Sequence, residues 1–281
     1  MFYIGSPMWG LKEWVGNFFP PHTPPGDFLR LYSQHLTTVE GNTTFYALPS
    51  TETVARWSQE TPSYFRFCPK ISRDISHSTA LDTHKKETEI FTQRMRGLGE
   101  RLGPMFLQLP PGFSPVHITQ LHAFLDFWPR DLQLAVEVRH PQFFTEPHSG
   151  ELNMLLRGYN VARVIMDSRP IRIGSAEEKQ VLQARERKPD LPLEVATTAD
   201  FAFVRYIGHP RMEVNEPLLA FWAQHMARWL QQGITLYVFC HCPFEVHSPE
   251  ICHALYHRVS SLHSLPTLPS PPEQPEQARL F

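Results

Sequence analysis

The sequence predicts a single (β/α)8 TIM-like barrel with a disordered Pro-rich C-terminal tail, and three observations carry that fold class. Eight short apolar runs each stop at a polar or charged residue, and longer stretches with helical spacing separate them. A chain of 281 residues is also long enough for one large α/β domain. Strands that alternate with helices need crossover connections, which make a parallel sheet. Eight such units close into a barrel whose sites sit where the strands end.

In chain order the predicted strands are Phe2–Ile4, Thr37–Asn42, Tyr64–Lys70, Met105–Leu109, Leu132–Arg139, Ala162–Asp167, Phe201–Tyr206 and Thr235–His241. Ser50 or Thr51 is placed to cap a helix over Glu52–Gln59, which stops before Pro62. Ile90, Phe91, Met95 and Leu98 recur among the charges of Thr83–Leu102, as on an amphipathic outer helix. The charged stretch Glu177–Lys188 reads as a helix between the sixth and seventh strands, or as an excursion over the barrel mouth. Leu218, Phe221, Trp222, His225, Trp229 and Leu230 repeat the helical spacing before Gly233, and Ser248-Pro249-Glu250 opens the last helix, through about Leu262. The barrel domain is expected over 1–263. From 264 to 281, with Pro266, Pro269, Pro271, Pro272 and Pro275 and little to bury, a flexible tail is expected.

Composition narrows the function classes. Hydrophobic residues make up 42%, enough for a large core, and a net charge of −2 argues against a globally basic nucleic-acid-binding surface. A local cationic cleft remains open. No long uncharged apolar segment is present to span a membrane, and Met1-Phe2-Tyr3-Ile4-Gly5 reads as a strand, not a signal peptide. Cys68, Cys240, Cys242 and Cys252 do not amount to a disulfide framework in a chain this size, so a cytoplasmic location is expected.

Because side chains alternate faces along a strand, each run sorts into an inner and an outer set. Val39, Phe65, Phe67, Leu107, Leu109, Val136, Val138, Met166, Val204, Tyr206 and Cys240 are assigned outward. That leaves Glu40, Asn42, Lys70, Gln108, Glu137, Arg139, Asp167, Arg205 and His241 pointing in, at strand ends. Burying so many charges is costly unless they pair with one another or with a ligand. Either they form a self-neutralising network or they form a site, and their location at the strand ends favours a site.

Lys70, Arg139 and Arg205 suit an anion such as phosphate or carboxylate, with arginine able to bind in a fork. Glu40, Glu137 and Asp167 are candidate acids or bases, if burial raises one pKa. Lys70 is a further catalytic candidate. A Schiff-base role there needs a lowered pKa, which nearby carboxylates are expected to oppose. Trp9 and Trp14 near the first strand end, with Phe45 and Tyr46 near the second, are candidates for an aromatic wall, although packing under the first loop also accounts for Trp14. His77 and His241 join the substrate-binding set.

The fifteen histidines also raise a metal centre, since His77, His140, His209 and His241 fall at or beyond strand ends. A divalent metal fits carboxylate and histidine donors without being required, and no tight ligand spacing is present. Cys240 faces away from His241, so Cys240-His241-Cys242 with Cys252 reads as buried thiols ahead of zinc ligands.

Eight stretches together resemble the domain-of-unknown-function 72 family, also called YecE-like. They are Gly5-Ser6-Pro7-Met8-Trp9, Val39 to Pro49, Phe65 to Lys70, Ile75-Ser76-His77, Leu107 to Pro111, Val136 to Pro141, Asp167 to Pro170 and Val204 to Gly208. The match spans roughly residues 1 to 260. The resemblance implies a TIM-like barrel and no settled activity. The chain departs from the family pattern at Cys240-His241-Cys242, where relatives often carry an Asn-rich end to the eighth strand, and at Pro7-Met8 in the first loop.

The last residues, Gln277, Ala278, Arg279, Leu280 and Phe281, look like the Gln-x-x-Leu-Phe peptide that docks replication and repair proteins on the bacterial sliding clamp. Two apolar side chains and an orienting glutamine sit at the end of a proline-rich tether. Three functions follow as expectations. The first is a hydrolase- or isomerase-type enzyme acting on an anionic, phosphorylated or nucleic-acid substrate at the barrel rim. The second is a non-catalytic binding module recruited to the clamp. The third is a scaffold with a structural polar ring.

Overall fold

The computed structural model describes residues 1–78, 80–173 and 178–270. Eight parallel strands run β1 Phe2–Ser6, β2 Thr38–Gly41, β3 Arg66–Pro69, β4 Met105–Gln108, β5 Leu134–Glu137, β6 Ala162–Asp167, β7 Phe201–Ile207 and β8 Thr235–His241. Their order is β3-β2-β1-β8-β7-β6-β5-β4. The seam between β3 and β4 is joined by bridges from Phe67 to Leu102 and from Lys70 to Phe106. There the Gly103 amide donates to the Phe67 carbonyl at 2.8 Å and the Ile71 amide to the Phe106 carbonyl at 2.9 Å. The sheet is thus a nearly closed barrel, as the alternation of strands and helices predicts.

The helices are α1 Phe28–Tyr32, α2 Thr51–Glu60, α3 Arg73–Ser76, α4 Lys85–Met95, α5 Ile118–Phe127, α6 His148–Gly158, α7 Lys179–Arg187, α8 Met212–Gln231 and α9 Ser248–Ser260. Ser50 caps α2 by accepting from the Thr53 amide. The helix expected over 83–102 stops at Met95 and tightens into a 3-10 turn over Arg96–Arg101, where Gly99 adopts φ 55°. Ile90 lies outside its apolar stripe and is exposed.

Alternation along the strands separates two cores. Tyr3, Cys68, Phe106, Ala135, Ala162, Val164, Phe201, Phe203, Tyr237 and Phe239 fill the barrel interior. Val39, Phe65, Phe67, Leu107, Val136, Val204 and Cys240 pack outward against the helices. Each fully buried aromatic in the inner plug stabilises by about 1.5–3 kcal/mol, and the plug closes the barrel beneath the strand ends, so polar groups above it share one opening. Gly5 permits the closest backbone approach, because a Cβ there would lie 1.8 Å from the Thr38 carbonyl oxygen.

Among the described residues no helix is long and apolar enough to cross a membrane. At the start of the expected tail, Leu265 and Leu268 pack against the outer core, and the Tyr256 hydroxyl donates to the Pro266 carbonyl at 2.6 Å. Gln277, Leu280 and Phe281 lie outside the described residues.

Candidate functional site

The strand ends bring Glu40, Asn42, Lys70, Gln108, Glu137, Arg139, Arg205 and His241 together. Arg205 on β7 is the hub. Its Nε donates to Glu40 Oε2 at 2.7 Å and its Nη2 to Glu40 Oε1 at 2.8 Å, while Nη1 donates to Glu137 Oε2. Asn42 Nδ2 donates to Glu40 Oε1 at 2.7 Å, His241 Nε2 lies 3.1 Å from Glu40 Oε2, and Arg139 Nε donates to Glu137 Oε1 at 2.7 Å. Every oxygen of both carboxylates is engaged.

That geometry fixes the charge states. Burial alone would raise the Glu40 carboxyl, but Arg205 and then His241 hold it well below the usual carboxylate range. Burial opposes Arg205 and Arg139 in the same way at Glu137, which ends at about 2. Burial works against the Arg205 charge too, and Glu137 and Glu40 more than restore it. Burial lowers His241 to about 4 despite Glu40. At neutral pH the pair of carboxylates is ionised and the imidazole neutral.

Above this hub, the cations outnumber the anions. Gln108 Oε1 accepts from Lys70 Nζ at 2.9 Å and from Arg139 Nη2 at 2.8 Å, so a neutral amide holds two positive groups side by side. Lys70 Nζ also sits 4.1 Å from the centroid of the Phe45 ring. Burial, followed by Arg205, lowers the Lys70 ammonium to about 8. The carboxylates expected to raise it act more weakly, because Arg205 and Arg139 already neutralise them.

Together these groups open into a cavity of about 600 Å³, whose walls also carry Pro7, Met8, Tyr46, Arg73, His77, Lys188 and Glu245. His77 follows α3, and its ring meets Phe45 edge-on at 5.2 Å. Ser76 Oγ donates to the Ser72 carbonyl at 2.9 Å and lies 2.9 Å from His77 Nδ1. A hydroxyl has one proton and a carbonyl has none, so Nδ1–H must be the donor to Ser76. The His77 tautomer is thereby set, with the lone pair on Nε2. Burial, then Lys70 and Arg139, lower its pKa and keep the ring neutral.

Two expected members are elsewhere. Asp167 turns outward: it accepts from Trp222 Nε1 of α8 at 2.8 Å and pairs with Arg169 at 2.8 Å. The strand runs in the opposite phase to that expected, with Ala162 and Val164 in the barrel interior and Met166 against Ile207 near the mouth. Arg163 shares the outer face with Asp167 and donates to Ser149, Asn153 and the Phe143 carbonyl. Trp9 is also misplaced by the sequence reading. It packs against Trp57 and Phe67 on the outer face of the sheet, at 5.2 and 6.2 Å, while Phe45 and Tyr46 do line the mouth.

The sequence reading did not single out Arg73, Lys188 or Glu245. Arg73 and His77 are four apart around α3, a spacing that places both on one side of a helical turn. Lys188 caps the end of α7, where Arg172 donates to its carbonyl, and burial then Arg205 lower its ammonium to about 8. Glu245 accepts from Ser248 and from the Cys242 amide, and burial raises it to about 7. Among the described residues no three His, Cys, Asp or Glu side chains gather as metal ligands, and all four cysteines are free and buried.

A family model described as "Protein of unknown function DUF72" matches residues 3–277. The chain belongs to the DUF72 family. UPF0759 protein YecE of Escherichia coli K12 is 38% identical over 257 residues, covering 91% of this chain and 92% of that protein. UPF0759 protein YunF of Bacillus subtilis 168 is 23% identical over 254 residues, covering 85% and 87%. Crystal structures of DUF72 proteins from Enterococcus faecalis V583 and Thermotoga maritima MSB8 superpose with TM-scores of 0.72 and 0.69, at 16% and 24% identity. The first covers 98% of this chain and 100% of its own, the second 91% and 97%. These likenesses show the shared barrel, and the DUF72 name assigns no chemistry to the mouth.

Proposed function

We propose that this DUF72 barrel binds a phosphorylated anionic ligand at its mouth and catalyses acid–base chemistry on it, of a hydrolase or isomerase type. The observation that carries the reading is the Gln108 side chain holding Lys70 and Arg139 together on one neutral oxygen, while Arg205 engages both buried carboxylates. Arg139 already pairs with Glu137, but among the described residues Lys70, Arg73 and Lys188 have no carboxylate within ion-pair distance, and an anion bound between them stabilises them. A cavity of about 600 Å³ accommodates a small phosphoester or a nucleotide.

Glu40 and Glu137 serve in this reading as fixed charges that orient Arg205, since neither holds a proton at neutral pH. Proton transfer falls instead to Lys70 and to the lone pair of His77, both lining the cavity. The test is a calorimetric titration of the protein with inorganic phosphate, repeated on Arg139→Ala. The expected result is saturable binding that weakens at least ~10-fold in the variant; an unchanged affinity would remove the reading.

The engagement of both glutamates also favours a second reading, a binding module without turnover. It predicts phosphate binding together with no conversion of any phosphoester in a broad substrate panel.

A further inference from the structure

We propose that Lys70 is a nucleophile that captures an anionic aldehyde or ketone as an imine, an inference that rests on the reading of the mouth as an anion site. The position suits the role. Lys70 follows β3 at the rim, its side chain lines the cavity, and its amide is anchored to the Gly41 carbonyl at 3.2 Å.

The surroundings favour loss of the ammonium proton. Among the described residues Nζ has one hydrogen-bond acceptor, the neutral Gln108 oxygen, and no carboxylate within ion-pair distance. Arg205 and Arg139 occupy the glutamates that would otherwise hold the charge in place. Burial and Arg205 bring the ammonium to about 8 against an ordinary 10.5, which leaves roughly 300-fold more free amine at neutral pH. Desolvation beside other cations is a general means of activating a lysine.

The same cations select the electrophile. Arg139, Arg73 and Lys188 line the cavity around Lys70, so a phosphate or carboxylate held by them brings an attached carbonyl carbon to the amine. The Nζ lone pair attacks that carbon, a C–N bond forms, and the C=O π pair moves to oxygen, which takes a proton. The first of the two Nζ protons reaches that oxygen through His77 Nε2, and the second follows the same route to the hydroxyl as the C–O bond breaks and water leaves. Amine and carbonyl thus become imine and water, with no oxidant or reductant required.

The experiment uses the full chain incubated at neutral pH with glycolaldehyde phosphate and sodium cyanoborohydride, which reduces the imine to a stable secondary amine. Peptide mapping by mass spectrometry is expected to find the adduct on Lys70 at least ~10-fold faster than on any other lysine. Inorganic phosphate should slow it, and uncharged glycolaldehyde should show no such selectivity. Lys70→Arg, with its fold confirmed by circular dichroism, should lose the selective adduct. Labelling spread evenly over exposed lysines, or concentrated on Lys188, overturns the inference. The phosphate titration reads the anion site separately, so bound phosphate without a selective adduct sinks the imine alone.

Discussion

Arg205 on β7 and Glu40 on β2 meet in a two-toothed fork inside the barrel, with contacts of 2.7 and 2.8 Å between residues 165 positions apart in the chain. The third nitrogen of the same guanidinium reaches Glu137 on β5. One side chain therefore ties three strands of the barrel together beneath the cavity. An unpaired carboxylate at this depth is far less stable than a paired one, so the hub is a strong constraint on the fold as well as on the site.

Arg205→Ala should accordingly destabilise the protein by about 3–5 kcal/mol, the usual consequence of leaving buried charges without their partner. Urea unfolding measures it. Combining Arg205→Met with Glu40→Gln and Glu137→Gln should recover part of the loss, because the orphaned charges go with the cation. A loss below about 1 kcal/mol in the single variant would mean that the carboxylates are solvated or protonated, contrary to the geometry.

Asp167 offers the complementary test, because it sits behind the sheet. Asp167→Ala leaves the buried Trp222 indole N–H without an acceptor and frees Arg169. Stability should fall by about 1–3 kcal/mol, while phosphate affinity at the mouth stays within twofold of the parent, roughly the scatter expected for a distant site. A large loss of phosphate affinity with unchanged stability would return Asp167 to the site.

How far the site can be read from sequence depends on the phase of each strand. For β2, β3, β4, β5, β7 and β8 the polar residue falls between neighbours that face outward, and the inward set comes out correctly. In β6 the outer face is itself polar. Arg163 and Asp167 are four apart in a strand and must share a face, so placing Asp167 inside also places Arg163 deep in the barrel. The small Ala162, packed inside with Ala135, is the signal that the phase runs the other way. Arg73, Lys188 and Glu245 lie beyond the strands, where alternation has no reach. Lys188 in particular ends a helix whose charges look solvated until the chain folds back over the mouth.

The Gln277-to-Phe281 peptide is independent of all this chemistry. A synthetic peptide of the last dozen residues is expected to bind the bacterial sliding clamp in fluorescence anisotropy, with Leu280→Ala and Phe281→Ala each weakening it at least ~10-fold, as loss of a buried apolar anchor does. No binding at high micromolar concentration would end the clamp reading and leave the barrel proposals untouched.

Anion binding at the mouth should depend on pH in a defined direction. Lys70 and Lys188 both titrate near about 8, so below that value both are ammonium groups and attract phosphate. As pH rises through about 8 they lose their protons in the free protein, and affinity should fall. Linkage requires the converse: bound phosphate raises both pKa values, so binding just above pH 8 takes up protons from the buffer. Calorimetry in two buffers of different ionisation enthalpy measures that uptake directly. Up to about pH 7 the lysines stay charged while inorganic phosphate begins to gain its second negative charge, so affinity there should rise or hold. Proton uptake that appears above pH 8 in the parent and shrinks in Lys70→Arg, whose guanidinium does not titrate there, ties the effect to Lys70. Affinity that stays constant from pH 7 to beyond 9 would place the anion away from both lysines.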